Sequence, residues 1–169
     1  RQHLIHPLVI SHGANMPLNL GSRFRLEFDW TGTEDPTPFL AVPETIRFFQ
    51  NIYPGGWAAI RQRNRSLALR ARDLICDVLN IAPPCPDDMI GNLAAFPVPI
   101  TGPMDTSGLD NDPLHLALYE QHKIQIPVFC WPAPSMRLLR LSVQLYNDWP
   151  QYEFLARVLP QLIAEERAP

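Results

Sequence analysis

Two groups of residues in this chain have types and spacing suited to chemistry. The first lies in FDWTGTEDPTPFL, Phe28 to Leu40, where Gly32 and Thr33 stand just before a segment with helical periodicity. A hydroxyl and unpaired backbone N–H groups at the mouth of a helix can hold an anion, because the first turn has unbonded donors and the positive end of the helix dipole. Asp29, Glu34 and Asp35 surround the turn, argue against a bare phosphate and suit helix capping. Taken alone, the motif reads as a turn that caps the following helix. The second group is LLRLSVQLYNDWPQYEFL, residues 138 to 155, which sets Arg140 on a strongly apolar strand. Such an arginine calls for an acidic partner if it is buried and otherwise faces water.

The remaining candidates are weaker. His12, His115 and His122 are acid–base groups by type, but the last two are seven residues apart, whereas a helical metal pair wants three or four. Cys76, Cys85 and Cys130 form an odd set without CxxC spacing, so reduced structural thiols are expected rather than a disulfide framework or a zinc site. Of 14 basic residues only Lys123 is a lysine, and its place before a strand reads as a solvated surface position.

The elements that must position these residues follow from periodicity and breakers. LIHPLVIS, residues 4 to 11, is β-leaning but limited by Pro7 to an irregular or edge strand. RFRLEF, residues 23 to 28, alternates basic or acidic with apolar side chains and leads into the Gly-Thr turn. A helix is expected over 38–52, with Pro43 in a first turn or at a kink, and it stops at Tyr53-Pro54-Gly55-Gly56. The longest helical signal runs from Trp57 to Asn80, with Arg61, Arg63, Arg65, Arg70 and Arg72 as a solvated face. Then come a strand over 92–100, a loop over 101–112, a short helix begun by Pro113, strands over 124–129 and 136–146, and a helix over 150–164 containing Pro160. The sum is an α+β module, a small sheet covered by helices on one face.

Bulk composition narrows the partners. With 14 basic and 17 acidic residues the net charge is −3, which gives no basic field for nucleic acid or an anionic membrane. No apolar run is long enough to span a bilayer and no signal peptide is visible, so a cytoplasmic location is expected. The start at Arg1 suggests a piece of a longer polypeptide.

The stretch over 138–155, with Arg140, Ser142, Tyr146 and Asn147, resembles the C-terminal signature of fold-type I pyridoxal-phosphate enzymes of the class V aminotransferase superfamily, nearest to the isopenicillin N epimerase-like branch. HPLVISHG, FDWTGTEDPTPFLAVPETIRFF and IQIPVFCW resemble further segments of that branch in the same order. The resemblance implies the small C-terminal domain of such an enzyme (residues 91–169), preceded by connecting helices (38–90) and the end of the large domain (1–37). It implies a homodimer in which Gly32 and Thr33 bind the phosphate of pyridoxal 5′-phosphate in the neighbouring subunit. It implies that Arg140 clamps the substrate's α-carboxylate, the planar guanidinium making two parallel hydrogen bonds. Three residues along a strand place side chains on opposite faces, so Arg137 is expected to face water while Arg140 enters the site.

The family's cofactor-linking lysine lies upstream of the residues matched here, and Lys123 is a poor substitute. The chain alone is therefore expected to be inactive, its parent being a pyridoxal-phosphate enzyme acting on an amino acid by epimerisation, transamination, elimination or desulfuration. Two alternatives stand beside this reading. One is a non-catalytic α+β dimerisation or interaction domain derived from such an enzyme. The other is a cysteine desulfurase or lyase with Cys130 as nucleophile, against which Pro127 and Phe129 occupy positions where the desulfurase pattern has Arg and Gly.

Overall fold

A computed structural model describes residues 1–29, 35–100, 112–132 and 136–167. The chain divides into two compact units, Arg1–Phe48 and Phe49–Pro169.

The first unit holds short 3-10 turns at Gln2–Leu4, His12–Asn15 and Leu18–Leu20, helix α1 (Arg23–Phe28) and most of helix α2 (Thr37–Ile52). The β-leaning run over 4–11 is not a strand: after the first turn it is irregular, and Leu8, Val9 and Ile10 are exposed. Pro7 removes one ladder donor, and strand propensity expresses itself only against a pairing partner. RFRLEF, whose alternation also suits a strand, is a helix. Six residues are too few to separate the two periods, and local contacts decide: Ser22 Oγ accepts from the Arg25 N–H at 3.3 Å, Phe24 stacks on Phe28 at 4.7 Å, and Arg23 lies 3.8 Å from Glu27. The Arg23 guanidinium donates to the carbonyls of Gly13, Ala14 and Met16. Gly13 is required there, since a Cβ would stand 1.6 Å from the Leu26 carbonyl oxygen. At the start of α2 the Asp35 carboxylate accepts the Thr37 N–H at 3.0 Å and its hydroxyl, the capping role open to it by sequence.

The second unit is the α+β module. Helix α3 (Gly56–Leu79) starts where Gly55 and Gly56 take φ of 84° and 58°, a left-handed corner that glycine adopts without strain. It buries Ile60, Ala68, Ala71 and Ile75. Strand β1 (Leu93–Val98), helix α4 (Pro113–His122), strands β2 (Val128–Cys130) and β3 (Arg137–Ser142) and helix α5 (Trp149–Glu166) follow. The sheet is antiparallel in the order β1-β3-β2, with Leu139 of β3 opposite both Phe96 and Val128. These three, with Leu114, Leu118, Ile75 and Leu159 from the helices, make a closed apolar core.

Two strands are shorter than their apolar runs. Pro127 has no N–H to give, so β2 begins at Val128. β3 stops at Ser142 because Asn147 draws the chain into a turn, its Oδ1 accepting the Gln144 N–H at 3.0 Å.

The arginines of α3 are only in part a solvated face: Arg61, Arg65 and Arg70 are exposed, Arg63 is half-buried and Arg72 is buried. Arg63 donates to the carbonyls of Gln144 and Asn147, Arg65 to those of Asp87 and Ile90, and Arg70 lies 3.5 Å over the Trp149 ring. Arg72 is buried against Asp73 and Asp87. Loop carbonyls without ladder partners need donors, and the long arginine stem reaches them from the helix flank. No helix among the described residues is long and apolar enough to cross a membrane.

Candidate functional site

β3 divides its side chains by parity. Arg137, Leu139 and Leu141 face the core, whereas Arg140 and Ser142 are on the open face and exposed. Beside that face lies an open cavity of about 400 Å³. Arg140 and Ser142 line it from β3, Tyr146 and Asn147 from the turn that follows, Gln151 and Tyr152 from α5, and His122 and Lys123 from the end of α4. The four residues singled out in the sequence over 138–155 thus meet at one place.

Each element holds its contribution by ordinary means. Arg140 is fixed through its backbone, whose N–H donates to the Pro127 carbonyl at 3.0 Å, leaving the guanidinium on the cavity side. α5 starts with a capping box: the Asp148 side chain accepts a backbone N–H, and Gln151 accepts the Asp148 N–H at 3.2 Å. Tyr152 is buried and its hydroxyl donates to the Ser142 carbonyl at 3.1 Å. Burial pushes its phenol up to about 12, so it keeps its proton at neutral pH and is a donor here.

The electrostatics have one sign. Arg140 and Lys123 line the cavity, no described lining residue is acidic, and Arg140 has no ion-pair partner among the described residues. A guanidinium held in this way can take a carboxylate with two parallel hydrogen bonds.

Arg137 corrects the sequence reading. It faces the core, 2% exposed, and every N–H of its guanidinium is used. Nε donates to Asp112 at 2.8 Å, Nη1 to the Pro99 carbonyl at 2.9 Å and to Glu166 at 2.8 Å, and Nη2 to Asp112 and Glu166. Burial alone would lower its pKa, but the hydrogen bonds to Glu166 and Asp112 more than offset this and the net shift is upward. Asp112 also caps α4, accepting the Leu114 N–H at 2.9 Å. The acidic partner that a buried strand arginine needs is present, but it serves Arg137 and not Arg140.

The other candidates separate clearly. Gly32 and Thr33 lie outside the described residues. His115 Nδ1–H donates to the Ile126 carbonyl at 2.7 Å, and His122 meets the Phe154 ring edge-on. Among the described residues no group of His, Cys, Asp and Glu is arranged for a metal ion. Cys130 sits on β2 opposite Arg137 and does not line the cavity; Cys76 is buried, which pushes its thiol up. Lys123 is exposed, its Nζ donating to the Glu120 carbonyl at 3.0 Å at the end of α4. Sequence reasoning missed that Lys123 and His122 share a cavity with Arg140, because β2 brings the end of α4 beside β3 through pairing that no local pattern encodes.

Pyridoxal 5′-phosphate needs a linking lysine and a phosphate cradle. Lys123 is directed at a helix end, and the described residues offer no such cradle. Among the described residues Arg140 is suited to a carboxylate, and none is placed as a linking lysine or a phosphate cradle.

No protein-family model matches the chain. It is 32% identical to isopenicillin N epimerase of Amycolatopsis lactamdurans over 145 residues, 84% of this chain and 33% of that protein. It is 33% identical to isopenicillin N epimerase of Streptomyces clavuligerus over 143 residues, 83% of this chain and 32% of that protein. To L-cysteine desulfhydrase of Arabidopsis thaliana it is 24% identical over 177 residues, 96% of this chain and 37% of that protein. The chain thus spans about a third of the length of the curated relatives it matches.

An α+β domain of this kind, matched in this way, is a C-terminal part of an aminotransferase-like enzyme. The chain belongs to the class V pyridoxal-phosphate enzymes, with isopenicillin N epimerases and L-cysteine desulfhydrases as its relatives.

Proposed function

We propose that this chain is the substrate-carboxylate part of a homodimeric, pyridoxal 5′-phosphate-dependent enzyme that acts on an amino acid, with epimerisation as the first choice of reaction. The observation that carries the reading is the meeting of Arg140, Ser142, Tyr146 and Asn147 at one cavity without a described acid. Arg140 holds the α-carboxylate and fixes which face of the amino acid is presented. Tyr152 remains protonated and supports the Ser142 end of β3. Gly32 and Thr33 hold the cofactor phosphate of the neighbouring subunit. Epimerisation is favoured over elimination from cysteine by 32–33% identity to the epimerases against 24% to the desulfhydrase. The place of Cys130 away from the cavity supports setting desulfuration by that thiol aside.

The test is amino-acid binding to the full chain, followed by chemical shifts in the labelled protein during titration with norvaline. Norvaline should perturb Arg140, Ser142 and Asn147. Arg140→Gln should weaken binding about tenfold or more, as expected for a lost charged hydrogen-bond pair. Unchanged binding in Arg140→Gln would sink the carboxylate assignment.

A further inference from the structure

We infer that the cavity takes an amino acid with a second anionic group, a side-chain carboxylate, and that Lys123 is the specificity-determining residue that receives it. The inference rests on the assignment of Arg140 to the α-carboxylate and adds what the rest of the cavity selects.

Charge is the first observation. The chain as a whole is negative, at −3, yet this cavity is lined by two permanent cations and by no described acid. One cation suffices for one carboxylate. Lys123 is a second cationic residue lining the same cavity, placed just after the end of α4 rather than on β3.

The second observation is what five arginines of this unit do. Arg137 and Arg72 are buried on carboxylates, Arg63 and Arg65 are spent on loop carbonyls, and Arg70 covers Trp149. Each has a packing task. The Lys123 ammonium touches the Glu120 carbonyl, an exposed contact at the end of α4 that leaves its charge unneutralised. An ammonium on a four-carbon stem swings from such a contact to an arriving carboxylate.

Third, the backbone at Lys123 is left-handed, φ 57°, at the position after a helix where glycine is the residue of least strain. The capping itself is done by the backbone N–H, which bonds back to Tyr119 at 3.0 Å, and needs no side chain. A lysine gains something from the negative end of the helix dipole, and that is the competing structural account. The two accounts part on substitution: Lys123→Gly relieves the strained backbone while removing the cation.

Glutamate and norvaline have the same chain length and differ in the terminal carboxylate, so their affinities for the full chain isolate the second charge. Glutamate should bind about two- to fivefold tighter at low ionic strength, with the preference fading as salt is added. Lys123→Gly should bring the glutamate-to-norvaline ratio to about one without lowering the thermal midpoint, and Lys123→Arg should keep the preference. Equal affinities in the parent chain, or a preference that survives Lys123→Gly, overturns the inference. If Arg140→Gln weakens both amino acids while Lys123→Gly leaves the ratio unaltered, the carboxylate assignment stands and only the role of Lys123 falls. If Arg140→Gln changes neither, or neither amino acid binds, the reading of the cavity falls as a whole.

Discussion

Replacing Arg137 by methionine would leave Asp112 and Glu166 with carboxylates drawn from water and no cation between them, a loss of about 3–5 kcal/mol. Arg140→Met touches no described ion pair and should stay within about 0.5 kcal/mol, so denaturant midpoints of the two variants separate the roles directly. Similar losses in both would contradict the assignment of one arginine to the core and one to the cavity. The opposed faces of these residues were legible in the sequence, since a strand has period two. Which face was the core was not. It depends on Asp112 and Glu166, which lie 25 and 29 residues away and are brought to Arg137 by tertiary structure.

At the scale of elements, α5 is tied to the end of β3 by the Tyr152 hydroxyl on the Ser142 carbonyl. The folded phenol is raised to about 12 from an unfolded value near 10. Its contribution to stability is therefore full below pH 10 and is lost between pH 10 and 12. Tyr152→Phe should cost about 1 kcal/mol at neutral pH and flatten the alkaline decline relative to the parent chain, as read by denaturation across that window. Parallel pH curves for the two would show that the buried phenol plays no part. The helices α3, α4 and α5 were legible because long apolar periods, Pro113 and the breakers at 53–56 mark them without ambiguity. RFRLEF was not, because Ser22 and the Phe24–Phe28 contact decide a six-residue segment that fits both periods. The strand ends were missed for a similar reason: Pro127 and Asn147 stop pairing inside runs that remain apolar.

For the whole molecule, α2 presents Phe39 at 68% and Leu40 at 71% exposure, together with Val42 and Ile52. A helix with that much apolar surface in water favours association. Sedimentation velocity should show a weight-average mass that rises with concentration, and a Phe39→Glu, Leu40→Glu double variant should lower it without reducing the thermal midpoint. A concentration-independent monomer in the parent chain would count against an adhesive α2. The sequence revealed a helix here from its apolar spacing, but spacing cannot say whether a face is covered, because that depends on what packs against it.

The alternation along β3 also sets the kind of change the strand can absorb. Exchange of one side chain for another at positions 138, 140 or 142 alters the open face and leaves the interior intact. Loss of a single residue within β3 is a different matter. If the later half kept its register, both arginines would fall on the open side and Asp112 and Glu166 would lose their cation; if the earlier half kept it, Arg140 would enter the apolar layer. Variation in this strand is therefore open to substitution at alternate positions and closed to changes of length.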